Sequence, residues 1–538
     1  MIDRLRPLLV PLGLLVLAAI LRLPNLATRG TWDGDQGHDM LVLRALVSDG
    51  VVPLLGPPTS IGDVHHGALY YYLLAPAAAL TGGDSPLAVV TLIALAGIAA
   101  VLVTWWLARS IGGPVAGLVA GLAMAVSPAA VDESTFIWNP NVIALSSAVA
   151  LAGAWQAWRT SRAGWWLLAA AGVAVTMQAH VLGVTLLPVV GALLVADVRR
   201  PTSTTDRREL LRIGLAGLGF IAVTFVPLVI HELTSGFAEV QAALAYLREG
   251  GEPPSQGPLA RFLFIEARVV SWPLVGLIVD GVTAGMLSLV AVFAIVIWRS
   301  FAAAADERVV ARWLGLGLVW TALALTFASP SLATVIRGLP NDHYHAFADP
   351  MVFVLVGLGA AALWRSDRAW RPMSAMSAVI AGRVLAAGGV LAVVAWAATH
   401  QPPAAHPDGG FPAAVTAADR IEGAAGPSPI RLLAIPDFKS VESYAYPLVR
   451  GGRNLQMGSE TSEAILTSDP AGAGAEPEPE PEPESLVVIC DSLFEPVIGA
   501  ACGGPAEAEI VPPALGDPID RFEAAPGRVI SIYRGGPP

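Results

Sequence analysis

Long apolar runs alternate with short polar connections over roughly the first 400 residues, and the pattern then changes. A bilayer-crossing helix needs about 20 mostly apolar residues. Eleven segments approach that description: 8–23, 87–108, 115–127, 142–158, 165–179, 181–196, 211–230, 274–298, 314–328, 346–364 and 378–398. The stretch from Trp165 to Ala196 is too long for one helix and just long enough for two. The polar interval 25–85 predicts two elements lying along a surface. One is 36–48, helix-like and stopped by Asp49-Gly50; the other is 69–80, apolar and aromatic but too short to cross. A second long interval runs from His231 to about Trp272. Beyond about His400, the runs 430–435, 486–490 and 529–533 read as short buried strands bounded by turn residues, with 419–422 belonging to a helix.

The fold class predicted is therefore a polytopic α-helical membrane protein of about eleven spans, residues 1–399, followed by a C-terminal α/β domain, residues 400–538. Within the latter, Glu-Pro alternation over 476–484 reads as an extended, self-repelling spacer. A charged fraction of 14% and a mean hydropathy of +0.62 exclude an ordinary soluble globule. A net charge of −11 argues against nucleic acid as a partner.

Arginine placement sets the orientation. With a cytoplasmic N-terminus the inner loops hold Arg4, Arg6, Arg109, Arg159, Arg162, Arg199, Arg200, Arg299, Arg308, Arg312 and Arg365. The outer loops hold Asp33, Asp35, Asp39, Asp49, Asp63, Asp84, Asp132, Glu133, Glu232 and Glu239. That alternation predicts a multi-pass plasma-membrane protein with its C-terminal domain extracytoplasmic. Leu21-Arg22-Leu23-Pro24 stands where a small-x-small cleavage site would be, so the first segment reads as a retained helix. The two cysteines, Cys490 and Cys502, both fall in the tail. They read as a disulfide in an oxidising compartment, two buried thiols being the other reading.

Candidate chemistry gathers at the outer face. Trp32-Asp33-Gly34-Asp35-Gln36-Gly37-His38-Asp39 follows the first span, and His65-His66-Gly67-Ala68-Leu69-Tyr70-Tyr71-Tyr72 comes soon after. Ionisable groups at a membrane face point by default to a site. Asp33 with Gln36 three residues on fits a capping box. That leaves Asp35 and Asp39, four apart on one helix face, as the carboxylates with work to do. Seven of the nine histidines (His38, His65, His66, His180, His231, His343 and His345) fall at or near the outer face. His38, His65/His66 and His343/His345 come from distant segments and could meet over one cavity. Asp39, His38 and His65 are also candidate ligands for a divalent metal. Arg22 and Arg337 are the cations placed to meet an anion, Arg22 having lipid-headgroup anchoring as its alternative. Arg337 stands near Asp342, His343 and Tyr344, and a guanidinium fork matches phosphate oxygens. Trp138-Asn139-Pro140-Asn141 reads as an outer turn that could line the same cavity.

An acidic pair in the first outer loop, then His66-Gly67-Ala68-Leu69-Tyr70-Tyr71 in the manner of a Lys/His-Pro-Pro-Leu-Tyr motif, then a late Arg337…His343-Tyr344…Pro segment together resemble the GT-C superfamily of membrane glycosyltransferases. The likeness is to glycosyltransferase family 39, the protein O-mannosyltransferases and aminoarabinose transferases, over roughly residues 8–364. Two departures are visible: Gln36 stands where many members have Glu, and both motif prolines are missing. The resemblance implies an inverting enzyme that moves a sugar from a polyprenyl-phosphate donor to an acceptor hydroxyl at the outer face. It implies Asp35 as the general base, with His66, Tyr70, Arg22, Arg337, His343 and Tyr344 as substrate contacts. Sugar and acceptor stay open. The rival class is a transporter or flippase of a lipid-linked sugar, which would need charge deep within the spans; Asp280 and Arg383 are the notable mid-span charges.

Overall fold

The computed structural model describes residues 2–59, 64–200, 206–249, 256–335, 341–365, 375–427, 429–436, 441–457, 485–492 and 500–535, with side chains from Leu8 onward. Arg337, Asp63 and the Glu-Pro run 476–484 lie outside the described residues. Helices overlap the expected spans, two of which, 211–230 and 274–298, are each divided between two helices, and the whole is mostly helical. Six helices among the described residues are long and apolar enough to cross a membrane, or seven if the pair Arg207–Thr224 and Val226–Thr234, bent by 45°, counts as one. Leu8–Arg22, Pro114–Val126 and Trp165–Ala179 are shorter apolar helices.

The expected span 274–298 is a correction. Helix Pro258–Val275 ends there, with Gly276 at φ 77°, and a separate helix Val282–Ala302 begins beyond a short turn. Glycine at that left-handed position ends the first helix at no steric cost. Asp280 consequently lies in the turn Ile278–Asp280, not in mid-span. Arg383 does lie within helix Ala375–Thr399, over the Trp364 ring at 5.3 Å.

The elements that build the site are α1 (Ile2–Arg22), α2 (Gly34–Arg44), β1 (Leu55–Pro58), β2 (His65–Gly67), α3 (Leu69–Ala79), α4 (Pro86–Gly112), α5 (Ala238–Glu249), α6 (Pro258–Val275) and α7 (Asp349–Arg365). The expected surface elements are both present. α2 continues as a π-helical turn, Ala45–Asp49, and stops at Gly50, which is left-handed at φ 73°. β1 and β2 form an antiparallel pair that leads into α3.

The tail contains α8 (Gly410–Ala425), β3 (Ile430–Ile435), α9 (Val441–Arg450), β4 (Leu455–Met457), β5 (Ser485–Asp491), β6 (Asp520–Ala525) and β7 (Arg528–Arg534). The strands form one sheet in the order β4-β3-β5-β7-β6. β3 runs parallel to β4 and β5, while β7 is antiparallel to β5 and β6. β5 is buried along its whole length, which is why it reads as a continuous apolar run instead of an alternating one. Cys490 on β5 is disulfide-bonded to Cys502, so the paired reading holds.

The hydrophobic interior is divided in an unexpected place. The helix bundle has its own core around Trp155, Phe347, Phe353 and Leu318. A second core joins α2, α3 and the start of α4 to the tail: Met40, Leu43, Tyr70, Tyr71 and Ile93 are continuous with Ile421, Tyr444, Tyr446, Ile489 and Ile530. Each such buried side chain contributes roughly 1.5–3 kcal/mol. Elements α2 and α3 thus share their core with the C-terminal sheet and its helices.

Candidate active site

The first turn of α2 carries the expected capping box. Asp33 Oδ1 accepts from the Gly34 amide at 2.7 Å, and Gln36 Oε1 accepts from the Asp33 amide at 2.8 Å. The Gln36 amide also donates to the Ile137 carbonyl at 2.8 Å. Asp33 has a further partner that spacing gave no hint of: Arg528 Nη2, at 2.8 Å. Asp35, in the first turn, is half-buried.

Asp39 shares a helix with Asp35 but has a different environment. It is 1% exposed and accepts from the Tyr70 and Tyr71 hydroxyls at 2.7 and 2.9 Å. Burial pushes its carboxyl up to about 8, outweighing those two hydrogen bonds. Asp39 is therefore a neutral, structural carboxyl near pH 7. Tyr70 faces it from within the second core and is 1% exposed, so the expected substrate contact at Tyr70 is a correction: its hydroxyl is directed to Asp39.

His38 is lowered by burial against the opposing pull of Glu442 and Asp35, with His65 also within electrostatic reach. His65 is engaged with Glu239 of α5: its amide donates to Oε2 and its Nδ1 meets Oε1, both at 2.7 Å. Burial raises the Glu239 carboxyl, but the contacts with His65 outweigh it and hold the group below its usual range. The candidate metal ligands Asp39, His38 and His65 are not brought into one ligand cluster. Among the described residues the only grouping of metal-binding side chains is Cys490, Cys502 and Glu507, and there the sulfurs are bonded to each other.

His66, next along β2, turns toward the bundle. Its ring lies 4.8 Å from that of His180, which lies 5.6 Å from His343 and 5.0 Å from Tyr344. His343 also stands 4.5 Å from Tyr344 and 4.2 Å from Trp138. Three histidines, a tyrosine and a tryptophan from four distant segments thus form one cluster. Trp138 reaches it because Asn139 ties the turn to the end of helix Trp165–Ala179 through the Ala179 carbonyl, at 2.6 Å. The Val181 amide donates to His66 Nδ1 at 3.2 Å, and the Leu182 amide donates to His180 Nδ1 at 3.2 Å. When neutral, both imidazoles therefore carry their proton on Nε2. Burial, with His180, His343 and His65 nearby, holds His66 well below its ordinary value, so the neutral form prevails.

The missing prolines of the motif have a steric reason at one position. A Cβ on Gly67 would overlap the Gln178 side-chain amide, so no larger residue fits there while Gln178 keeps its place.

His345 does not join the cluster. It meets Asp342 Oδ1 at 3.2 Å, and Asp342 receives a two-pronged contact from Arg268 of α6 at 3.0 and 2.6 Å. Arg268 also donates to the Leu332 and Thr334 carbonyls at 2.8 Å, bracing the 3-10 turn Asp342–Ala348 that presents His343 and Tyr344. Arg22 is a second correction. It is fully buried and donates to the Met124, Ala125 and Ala130 carbonyls and to Ser134, where it secures the C-terminal end of helix Pro114–Val126. Neither a donor phosphate nor a lipid headgroup lies within its role. Arg268 and Glu442 enter the site without a sequence motif to announce them, while the sequence marks His180 and Glu239 only as a histidine and an acid on the outer side, with no partner assigned.

A family model described as dolichyl-phosphate-mannose-protein mannosyltransferase matches residues 65–231. No curated protein sequence matches the chain. ArnT from Cupriavidus metallidurans in its apo state shares the fold at a TM-score of 0.60 and 15% identity, covering 100% of both chains. ArnT bound to undecaprenyl phosphate gives a TM-score of 0.57 and 14% identity over 99% of each. A looser likeness, TM-score 0.45 and 15% identity, covers 78% of this chain and 58% of the oligosaccharyltransferase AglB from Archaeoglobus fulgidus. The expected GT-C resemblance is borne out, by the family model over the segment that carries His65, His66 and His180 and by the ArnT fold over the whole chain. The matched family is one of membrane glycosyltransferases, and the expectation of an enzyme of that class holds with it.

Proposed function

We propose that the protein transfers a sugar from a polyprenyl-phosphate donor to an acceptor hydroxyl at the outer membrane face, with inversion at the anomeric carbon. The observation that carries this reading is the gathering of His66, His180, His343, Tyr344 and Trp138 into one cluster, with His65 beside it in sequence and His38 within electrostatic reach of both His65 and Asp35. Binding of undecaprenyl phosphate by ArnT, which shares the fold, supports a lipid-phosphate donor.

In this reading Asp35 takes the proton of the acceptor hydroxyl as its oxygen attacks the anomeric carbon. The bond from that carbon to the phosphate oxygen breaks, and polyprenyl phosphate leaves with the electron pair. The Nε2 protons of His66 and His180, with His343 and the Tyr344 hydroxyl, donate to the phosphate as charge builds on it. His66 and His180 are neutral donors, fixed in place by the Val181 and Leu182 amides before the charge develops. Arg337, five residues before this turn in the sequence and outside the described residues, is the cation we assign to the set. The same reading has the N-terminus cytoplasmic, eleven spans, a membrane domain over residues 1–399 and an outer domain over 400–538. Cysteines placed at exposed Ala304 and Gly423 should then label from the inside and the outside respectively.

The test is consumption of a panel of undecaprenyl-phosphate-linked hexoses and pentoses by the protein in proteoliposomes, read as release of undecaprenyl phosphate. Asp35→Asn should lower turnover by about 10²–10⁴ while sparing donor binding, since it keeps shape and removes the base. His66→Ala should weaken donor binding as well. No release from any donor by the wild-type protein, or full turnover in Asp35→Asn, would end this reading.

A further inference from the structure

The helix that carries Asp35 is seated on the C-terminal sheet, and the contacts are specific. Arg528, at the start of β7, is 4% exposed. Its guanidinium donates to Asp491 at the end of β5, at 3.1 and 3.0 Å, to Asp33 Oδ1 at 2.8 Å, and to the Trp32 carbonyl at 3.4 Å. Burial opposes a charge there, but Asp33, Tyr444 and Asp491 outweigh it and raise the guanidinium further above its ordinary value. Trp32 sends its indole proton to the Ser443 carbonyl at 2.8 Å, while its amide and Thr31 donate to Asp408 at 2.9 and 2.8 Å. One turn on, the α2 and α9 backbones meet at Gly37, where a Cβ would overlap the Glu442 carbonyl. Three tail segments, around Asp408, Ser443 and Arg528, thus converge on the entry and first turn of α2, within four residues of Asp35.

We infer that Arg528 is a positioning residue: from the C-terminal sheet it fixes the N-cap of α2, and through it the placement of Asp35. This rests on the assignment of Asp35 under the proposed function. A helix is oriented by its first turn, and a carboxylate two residues from the cap moves with it. A displaced catalytic group costs turnover even when the substrate still binds. The pair is well suited to that task, since Arg528 bridges a tail carboxylate and a loop carboxylate at once, with a planar fork that lysine lacks.

The experiment uses the full chain in nanodiscs, with Asp33→Asn and Arg528→Lys as variants and Arg420→Gln as control. Asn caps a helix nearly as well as Asp, so Asp33→Asn removes the charge pair and leaves the cap. Arg420 and Asp520 make an exposed pair in the same domain, away from α2. Amide hydrogen exchange over residues 34–44 should quicken at least tenfold in both variants, with α4 and β5 unchanged and the control silent. With undecaprenyl-phosphate-mannose, or whichever probe of the panel the wild type consumes, kcat should fall about tenfold to hundredfold, KM staying within about twofold. Unchanged exchange over 34–44 in Asp33→Asn overturns the inference, as does a rise in KM at constant kcat. If the wild type consumes no donor, the functional reading fails by itself, and the exchange measurement still decides whether Arg528 holds α2.

Discussion

The two halves of the candidate site are held by different means. The half contributed by α2 is fixed from outside the bundle: Arg528, Asp408 and the Ser443 carbonyl come from the tail, and the apolar residues beneath belong to a core shared with the sheet. The half that presents His343 and Tyr344 is fixed from within, by Arg268 on a neighbouring helix acting through Asp342 and two backbone carbonyls. One brace joins two modules across a partly open seam. The other is buried in the bundle, with Arg268 and Asp342 each 1% exposed. A pair of the first kind can be loosened locally. A pair of the second kind, once broken, leaves a buried charge that the surrounding helices cannot solvate.

The largest effect should therefore come from the inner brace. Arg268→Met strands the Asp342 carboxylate and should destabilise the protein by about 3–5 kcal/mol, read as a lowered thermal midpoint in detergent with loss of the bundle transition. Asp33→Asn at the outer brace should leave that transition in place. Equal losses in the two variants would erase the distinction between the halves.

Next in size is the disulfide. It closes a sequence separation of 12 residues, and the double variant Cys490→Ala/Cys502→Ala should cost about 3 kcal/mol, the scale for a loop of that length. The loss belongs to the tail. If α2 is seated on that sheet, exchange over residues 34–44 should quicken while exchange in α6 does not; a change in α6 of the same size would mean the modules do not respond separately.

A separate effect is a pH dependence that Asp39 brings to the α2 half. Asp39 keeps its proton in the folded protein up to about 8, whereas an unfolded aspartate loses it near pH 3.9. Between those values only the folded state holds the proton, so the contribution is full below about pH 4 and is lost as pH rises through about 8. Asp39→Asn removes the titration. The thermal midpoint of the wild type, relative to Asp39→Asn, should fall steadily from pH 5 to 8.5, and a flat difference would show that Asp39 is charged in the folded state.

The bundle was legible because bilayer-length apolar runs leave a periodic, low-resolution trace that survives errors of a few residues. The break at Gly276 was missed because hydropathy is blind to a backbone turn set between two apolar stretches. The capping box could be read because its partners sit three residues apart. Asp35 and Asp39 looked equivalent by spacing, yet Tyr70 and Tyr71, from another element, separate them. Arg22 looked like an anion ligand because its hydrogen-bonding partners are backbone carbonyls more than 100 residues away, which no side-chain pattern reports. Of the histidines expected to converge, His66 and His343 do so. His345 was drawn off by Asp342, its neighbour one turn back, and His65 by Glu239.

Arg528 and Asp33 lie 495 residues apart in the chain. A ribosome therefore finishes α2 long before it begins the strand that will hold it. Throughout that interval Met40, Leu43, Tyr70 and Tyr71 lack their eventual cover, and the segment bearing Asp35 waits without its seat. Contacts this far apart form late, so α2 should be among the last parts of the molecule to take its final place. A nascent chain halted before β7 would hold the helix bundle complete and α2 without Arg528 at its cap.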